Sequence, residues 1–233
     1  MKTLKEISIK YDVDKLELGF LDHYEEKFES LRNTTTKVLE IGVETGRSHR
    51  MWLEYFPNAT IYGYDVFETG VNEFHQLQNN NPNLDRSITF KGDQSNPEHL
   101  NNFLELYGDN FDIIIDDGGH TMKQQQISLK YLFNAVKPGG YYIIEDLHTC
   151  SGQWKSLYGY EVISKGDIKT TDILNSLENN DNNITETNYL SKDDILNIRN
   201  NMKYCTTKIG VEIYKNPKGS YYNWPTMLSF IKK

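Results

Sequence analysis

The chain has 233 residues, 37% of them hydrophobic, and 25 Lys and Arg against 33 Asp and Glu give a formal charge of −8. That size suits one domain with a real core, while an acidic balance without a Lys/Arg cluster argues against a nucleic-acid partner. Two cysteines, Cys150 and Cys205, exclude a disulfide framework, and neither a membrane span nor a signal-peptide stretch is visible, so a cytoplasmic location is expected.

In chain order, Leu21, Tyr24, Phe28 and Leu31 recur at helical spacing, which makes residues 1–36 a helical cap over the sheet. Short β-branched and aromatic runs then alternate with helical stretches: 37–41, 60–65, 87–91, 111–116 and 140–145. This alternation predicts an α/β fold with a mostly parallel sheet and helices on both faces. The runs 113–115 and 141–144 are apolar throughout, as strands covered on both faces should be, and are expected at the sheet centre. Ile127, Leu129, Leu132, Phe133 and Val136 form a helical stripe that Lys137-Pro138-Gly139-Gly140 should stop. Residues 37–150 thus form the core of the domain. Residues 151–206 are Asn-rich and read as an insertion on the rim, partly mobile, with short helices at 172–177 and 193–202. Strands at 207–214 and 226–231, joined through Asn216-Pro217-Lys218-Gly219, complete a sheet of seven as an antiparallel edge hairpin.

The first junction that carries chemistry is Glu40-Ile41-Gly42-Val43-Glu44-Thr45-Gly46, a strand entering a glycine-containing loop before a helix. Its glycines are four apart, unlike the G-x-G-x-x-G of dinucleotide sites, and Glu40 and Glu44 would repel a pyrophosphate. Asp65 ends the next strand, where a carboxylate can take both hydroxyls of a ribose. The pair favours a nucleoside cofactor without phosphates, although a plain structural turn explains two glycines equally well.

The motifs together resemble the class I S-adenosylmethionine methyltransferases, and more narrowly the metal-dependent O-methyltransferases of macrolide sugars, the mycinamicin type. The blocks that carry this resemblance run from Tyr11-Asp12-Val13-Asp14-Lys15 and His23-Tyr24, through 39–43, 51–57 and 61–65, to Gly92-Asp93-Gln94, Asp116-Asp117-Gly118-Gly119-His120 and 138–149. Val13 and Gly119 depart from the usual Thr and Ser of that family, and residues 151–206 show little match. The resemblance implies a Rossmann-like fold with Glu40, Gly42 and Asp65 on the methionine and ribose of S-adenosylmethionine and Asp93 and Gln94 beside its adenine. It further implies Mg²⁺ on Asp117, Glu145 and Asp146, and His120 as general base.

That assignment makes chemical sense. A neutral sugar hydroxyl is a poor nucleophile, a divalent cation lowers the pKa of a bound oxygen, and an imidazole receives protons near neutral pH. Carboxylates suit a hard ion, Mg²⁺ before Mn²⁺ or Ca²⁺. Only one of Asp116 and Asp117 need be a ligand, and Asp116 either points toward the cofactor or caps the following turn. Lys15, His23, Tyr24 and His148 are candidates for the acceptor side, Tyr24 also fitting a core position; the alternative to catalysis for His120 is a helix-start residue with a satisfied ring. His49, His75 and His99 are expected at the surface, and Trp52, Tyr55 and Phe56 in helix-to-sheet packing. The acceptor is read as a sugar hydroxyl, free, nucleotide-linked or on a glycan or natural product, with a catechol-like phenol as the alternative and a homo-oligomer compatible with the chain. A nicotinamide oxidoreductase and a degenerate, non-enzymatic cofactor-binding subunit are the rival classes.

Overall fold

A computed structural model describes residues 1–68, 74–75, 83–150, 167–181, 185–215 and 221–233. The N-terminal segment forms helices α1 (Leu4–Tyr11) and α2 (Leu21–Phe28), with a short 3₁₀ turn, Asp14–Leu16, between them. A capping box starts α1: Thr3 accepts from the Glu6 amide while the Glu6 carboxylate accepts from the Thr3 amide. Strands β1 (Lys37–Ile41), β2 (Thr60–Asp65), β3 (Ser87–Lys91), β4 (Phe111–Asp116) and β5 (Val136–Ile144) alternate with helices α3 (Arg47–Tyr55), α4 (Pro97–Tyr107) and α5 (Met122–Leu132). Helices α6 (Thr170–Glu178) and α7 (Lys192–Asn201) precede the hairpin β6 (Tyr204–Lys215) and β7 (Tyr221–Lys232).

The seven strands lie in the order β3-β2-β1-β4-β5-β7-β6. The first five are parallel, and β7 enters antiparallel between β5 and β6. This is the seven-stranded, mostly parallel sheet expected, with its antiparallel hairpin at the edge. The run β1-β4-β5 is central, and all six residues of β4 are buried.

Side-chain alternation along the central strands divides the core in two. Ile113 and Ile115 of β4, with Tyr141 and Ile143 of β5, pack under α1, α2 and α3 against Tyr24, Phe28 and Trp52. Ile114, Tyr142 and Ile144 face α4 to α7 on the other side. Each fully buried side chain of this size contributes about 1.5–3 kcal/mol, so both faces are needed to hold the strands in register. Trp52, Tyr55 and Phe56 are buried in the first cluster, as their spacing predicts.

Three expectations change. Lys137-Pro138-Gly139-Gly140 does not separate helix from strand but lies inside β5, where Val136 pairs with Phe111 across a bulge and Gly139, at φ +82°, donates to Lys233 O. His49 is fully buried rather than at the surface. The described part of the Asn-rich stretch is packed rather than peripheral: Ile173, Leu174, Leu177, Leu190, Ile195 and Ile198 join the core over β4 and β5. The rest of that stretch, residues 151–166 and 182–184, and the hairpin turn, residues 216–220, lie outside the described residues. No helix among the described residues is long and apolar enough to cross a membrane.

Candidate active site

The loops following β1 to β5 meet at the carboxyl edge of the sheet around a cleft of about 1250 Å³. That is above the usual ~300–1,000 Å³ of a single-ligand pocket, so a nucleoside cofactor and an acceptor can share it. The segment Asp12–Leu18 supplies the opposite wall.

The β1 and β4 loops touch backbone to backbone. Gly42 has φ +86°, and a Cβ there would lie 1.9 Å from Asp117 O, so any other residue would separate the two loops. Asp65 fastens the same region: Oδ2 accepts from the amides of Val43 (2.6 Å) and Glu44 (2.9 Å), and Oδ1 from Phe67 (2.6 Å). Asp93 lines the cleft and caps its own turn through the Ser95 amide at 2.8 Å.

Gln94 ties this wall to the β4 loop. Its Oε1 accepts from the Gly119 amide at 2.8 Å and its Nε2 donates to Asp116 Oδ1 at 2.9 Å. A Cβ on Gly118 would meet Gln94 Oε1 at 1.8 Å, and one on Gly119 would meet Gln124 Nε2 at 2.0 Å, so a side chain at either position requires these glutamine side chains to move. Gln124 in turn forms a capping box with Thr121 at the start of α5. The Thr121-x-x-Gln124 spacing carried that signal in the sequence, but not the link to Gln94.

His120 (φ +59°) and Asp146 (φ +53°) both adopt the left-handed conformation that non-glycine residues rarely take. Thr149 Oγ1 is 3.2 Å from His120 O and 2.7 Å from Asp146 O, joining the two loops. The result brings His120 Nε2 to 3.4 Å from Asp146 Oδ2. One donor atom each of Asp117, His120 and Asp146 lie within 4.8 Å of one another, a grouping able to hold a metal ion. Burial pushes the Asp146 carboxyl up to about 6, against the pull of His120. Asp146 Oδ1 is buried without a hydrogen-bond partner among the described residues, with His148 Nδ1 3.8 Å away. His148 lines the cleft nearby; burial drives its pKa down to about 4, and its Nδ1 is within 3.3 Å of the Met227 amide.

Glu145 sits deeper. It is fully buried; its Oε2 accepts from Lys15 Nζ at 2.8 Å and its Oε1 from the Tyr24 hydroxyl. Lys15 Nζ also binds Asp117 Oδ2. Desolvation and the nearby Asp117 charge push Glu145 toward its protonated form, while Lys15 and Tyr24 favour the anion. One ammonium thus faces three carboxylates. The surplus negative charge and the unpartnered Asp146 oxygen fit a bound cation.

Other sequence candidates fall elsewhere. Glu40 is fully buried under Trp52, whose Nε1 donates to it at 3.0 Å, with His49 Nδ1 at 3.6 Å; it does not line the cleft. Asp116 likewise turns away, into a pocket formed by Gln94, Ser128 and Tyr142, where burial raises its carboxyl to about 6. Lys15 and Tyr24 lie beneath the cleft, and His23 is not among its lining residues.

No family model matches the chain. It is 39% identical over 158 residues to the mycinamicin VI 2''-O-methyltransferase of Micromonospora griseorubida, covering 63% of this chain and 36% of that one. It is 34% identical over 165 residues to the demethylmacrocin O-methyltransferase of Streptomyces fradiae, covering 68% and 38%. Among solved structures, the MycE methyltransferase of the mycinamycin pathway, in complex with Mg, SAH and mycinamycin VI, aligns over 99% of this chain and 54% of its own, with TM-score 0.65 and 28% identity. The chain has the class I methyltransferase fold. It resembles the macrolide-sugar O-methyltransferases in sequence and in structure. A methyltransferase of Anabaena variabilis, 15% identical with TM-score 0.55 and 95% covered, shares the fold alone. The chain spans little more than a third of the length of the curated relatives it matches.

Proposed function

We propose that the chain is the catalytic domain of an S-adenosylmethionine-dependent, Mg²⁺-dependent O-methyltransferase acting on a sugar hydroxyl. The observation that carries this reading is the meeting of Asp117, His120 and Asp146 at the carboxyl edge of a methyltransferase sheet. The sugar O-methyltransferases to which the chain is similar supply the acceptor class.

S-adenosylmethionine supplies the methyl group when bound, and the ion supplies positive charge that lowers the pKa of a hydroxyl. Gly42, Asp65, Gly92, Asp93 and Gln94 line what would be the cofactor's side of the cleft. Asp117 and Asp146 would hold the ion, with Glu145 as third donor. His120 receives the acceptor proton at Nε2, which lies 3.4 Å from Asp146 Oδ2. The left-handed backbone at both residues fixes their separation before substrate arrives.

Acceptor choice follows from charge. Nine carboxylates and one guanidinium, Arg47, line the cleft among the described residues, an unfavourable field for a pyrophosphate. A neutral glycoside is therefore preferred over a nucleotide-linked sugar. We also propose that residues 1–233 work as one domain, with 1–36 and 151–206 bounding the acceptor side, in a cytoplasmic protein without a nucleic-acid partner.

The decisive experiment is a labelled-methyl transfer screen over neutral glycosides and nucleotide sugars, with Mg²⁺ and with excess chelator. Transfer to glycosides that chelator abolishes is expected. Transfer undiminished in chelator rejects the metal role, and transfer only to nucleotide sugars rejects the acceptor.

A further inference from the structure

Lys15 has no step in the chemistry above, yet it is the side chain most committed to the site. It leaves the 3₁₀ turn Asp14–Leu16 and is fully buried, with its ammonium bridging Asp117 Oδ2 and, at 2.8 Å, Glu145 Oε2. Those carboxylates are its only hydrogen-bond partners among the described residues. The second Glu145 oxygen is taken by the Tyr24 hydroxyl. Two of the three carboxylates assigned to a divalent ion therefore already hold a cation, supplied by the chain itself.

Two cations cannot share this enclosure without cost. A divalent ion on Asp117 and Glu145 either displaces the ammonium or lies against it, and at a few ångströms in a low-dielectric setting like charges repel strongly. A lysine's four-carbon stem is flexible, so its ammonium can be repositioned once the pair is broken. Asp14 and Glu17, on the same segment, line the cleft and offer carboxylates there.

Resting on the metal reading above, we propose that Lys15 is an internal cation that holds Asp117 and Glu145 when the ion is absent and is exchanged for it. Ion binding is thereby coupled to the segment Asp12–Leu18, because Lys15 is that segment's tether to the ends of β4 and β5. The segment keeps other anchors, Arg47 Nη1 to Asp12 Oδ2 at 2.6 Å and the Thr226 hydroxyl to Leu18 O at 2.6 Å, so it loosens rather than detaches. It also forms the cleft wall opposite the sheet loops. Loading of the ion is thus a signal to the acceptor side, and linkage makes the coupling reciprocal: whatever weakens the Lys15 bridge strengthens ion binding.

Calorimetric titration with Mn²⁺ of the wild type and of Lys15→Met, together with amide exchange over residues 12–18 of the wild type with and without Mn²⁺, tests this. The variant should bind Mn²⁺ about tenfold more tightly or better, and exchange in 12–18 should quicken when the wild type takes up the ion. Equal or weaker binding by the variant overturns the proposal, and so does unchanged or slower exchange in the wild type. The exchange measurement decides the matter alone if the variant does not fold. Absence of Mn²⁺ binding by the wild type at millimolar concentration would remove the metal reading itself.

Discussion

Asp116→Asn separates a framework role for this carboxylate from a cofactor-binding one. Asp116 is 1% exposed, and its carboxyl holds its proton up to about 6 instead of the ordinary 3.8, chiefly because burial disfavours the charge. Below pH 3.8 the folded and unfolded chains are both protonated here and burial costs nothing. Between 3.8 and about 6 the folded chain binds more protons, so stability falls as pH rises, and above 6 the penalty is complete. The gap is worth about 3 kcal/mol at ~1.4 kcal/mol per pH unit. Asparagine keeps the shape and removes the charge. Its amide oxygen can accept from Gln94 Nε2, and its amide nitrogen can donate to Ser128 Oγ, which already reaches Gln124 O at 2.9 Å. Urea unfolding in chelator should therefore give variant and wild type of similar stability near pH 4. The variant should lead by about 2 to 3 kcal/mol at pH 8. Cofactor affinity should be unchanged, since Asp116 does not line the cleft. A stability difference that stays constant with pH, or that reverses, would refute the burial argument; a large loss of cofactor affinity would return Asp116 to the binding site.

His120→Ala should lower kcat by about 100-fold or more while leaving Mn²⁺ affinity within about threefold; loss of Mn²⁺ binding by calorimetry would instead make the imidazole a ligand, as its place beside Asp117 and Asp146 allows. Asp117→Asn should weaken Mn²⁺ binding by about tenfold or more, and unchanged affinity would exclude Asp117 from the metal set. Gly42→Ala should cost about 2 to 4 kcal/mol in thermal or urea unfolding, because φ is +86° and the new Cβ meets a backbone carbonyl that cannot swing aside. Wild-type stability in that variant would mean the β1 and β4 loops are not held in contact.

The sheet was legible because its central strands are apolar on both faces and its helices carry clean stripes. What hid from the sequence was hidden for physical reasons. Lys137-Pro138-Gly139-Gly140 has the composition of a breaker, but Val136 just before it pairs with Phe111, and Gly139 and Gly140 bond to Lys233 through the backbone, which needs no side chains. His49 stands at helical spacing from Trp52, Leu53 and Phe56, and that stripe could have placed it inside, beside Glu40. In 151–206 the asparagines masked Ile173, Leu174, Leu177, Ile195 and Ile198, whose helical repeat is the better guide than mean polarity. At the site, motif positions indicated which residues gather. They could not indicate that Lys15 meets Asp117 and Glu145 across more than a hundred residues, nor that Asp116 and Glu40 face inward, because such pairings are set by the fold and leave no local pattern.

Strand geometry explains how two adjacent acidic pairs divide their work. Neighbouring residues at a strand end point to opposite sides. In the first pair, Asp116 is fixed under α5 by Gln94 and Ser128, while Asp117 looks toward the cleft. In the second, Glu145 is fixed by Lys15 and Tyr24, while Asp146 faces His120, its other oxygen accepting no hydrogen bond among the described residues. Each pair thus contributes one carboxylate to the framework and one to the site. The division is not equally firm in the two. Asp116 is held by neutral amide and hydroxyl donors, whereas Glu145 is held by a cation that also grips the site carboxylate Asp117. On the exchange proposed above, Glu145 would belong to the framework with Lys15 seated and would be free to serve as a third donor beside Asp117 and Asp146 with Lys15 withdrawn, so the position of a single lysine on the N-terminal segment would set how many carboxylates the site offers to an ion.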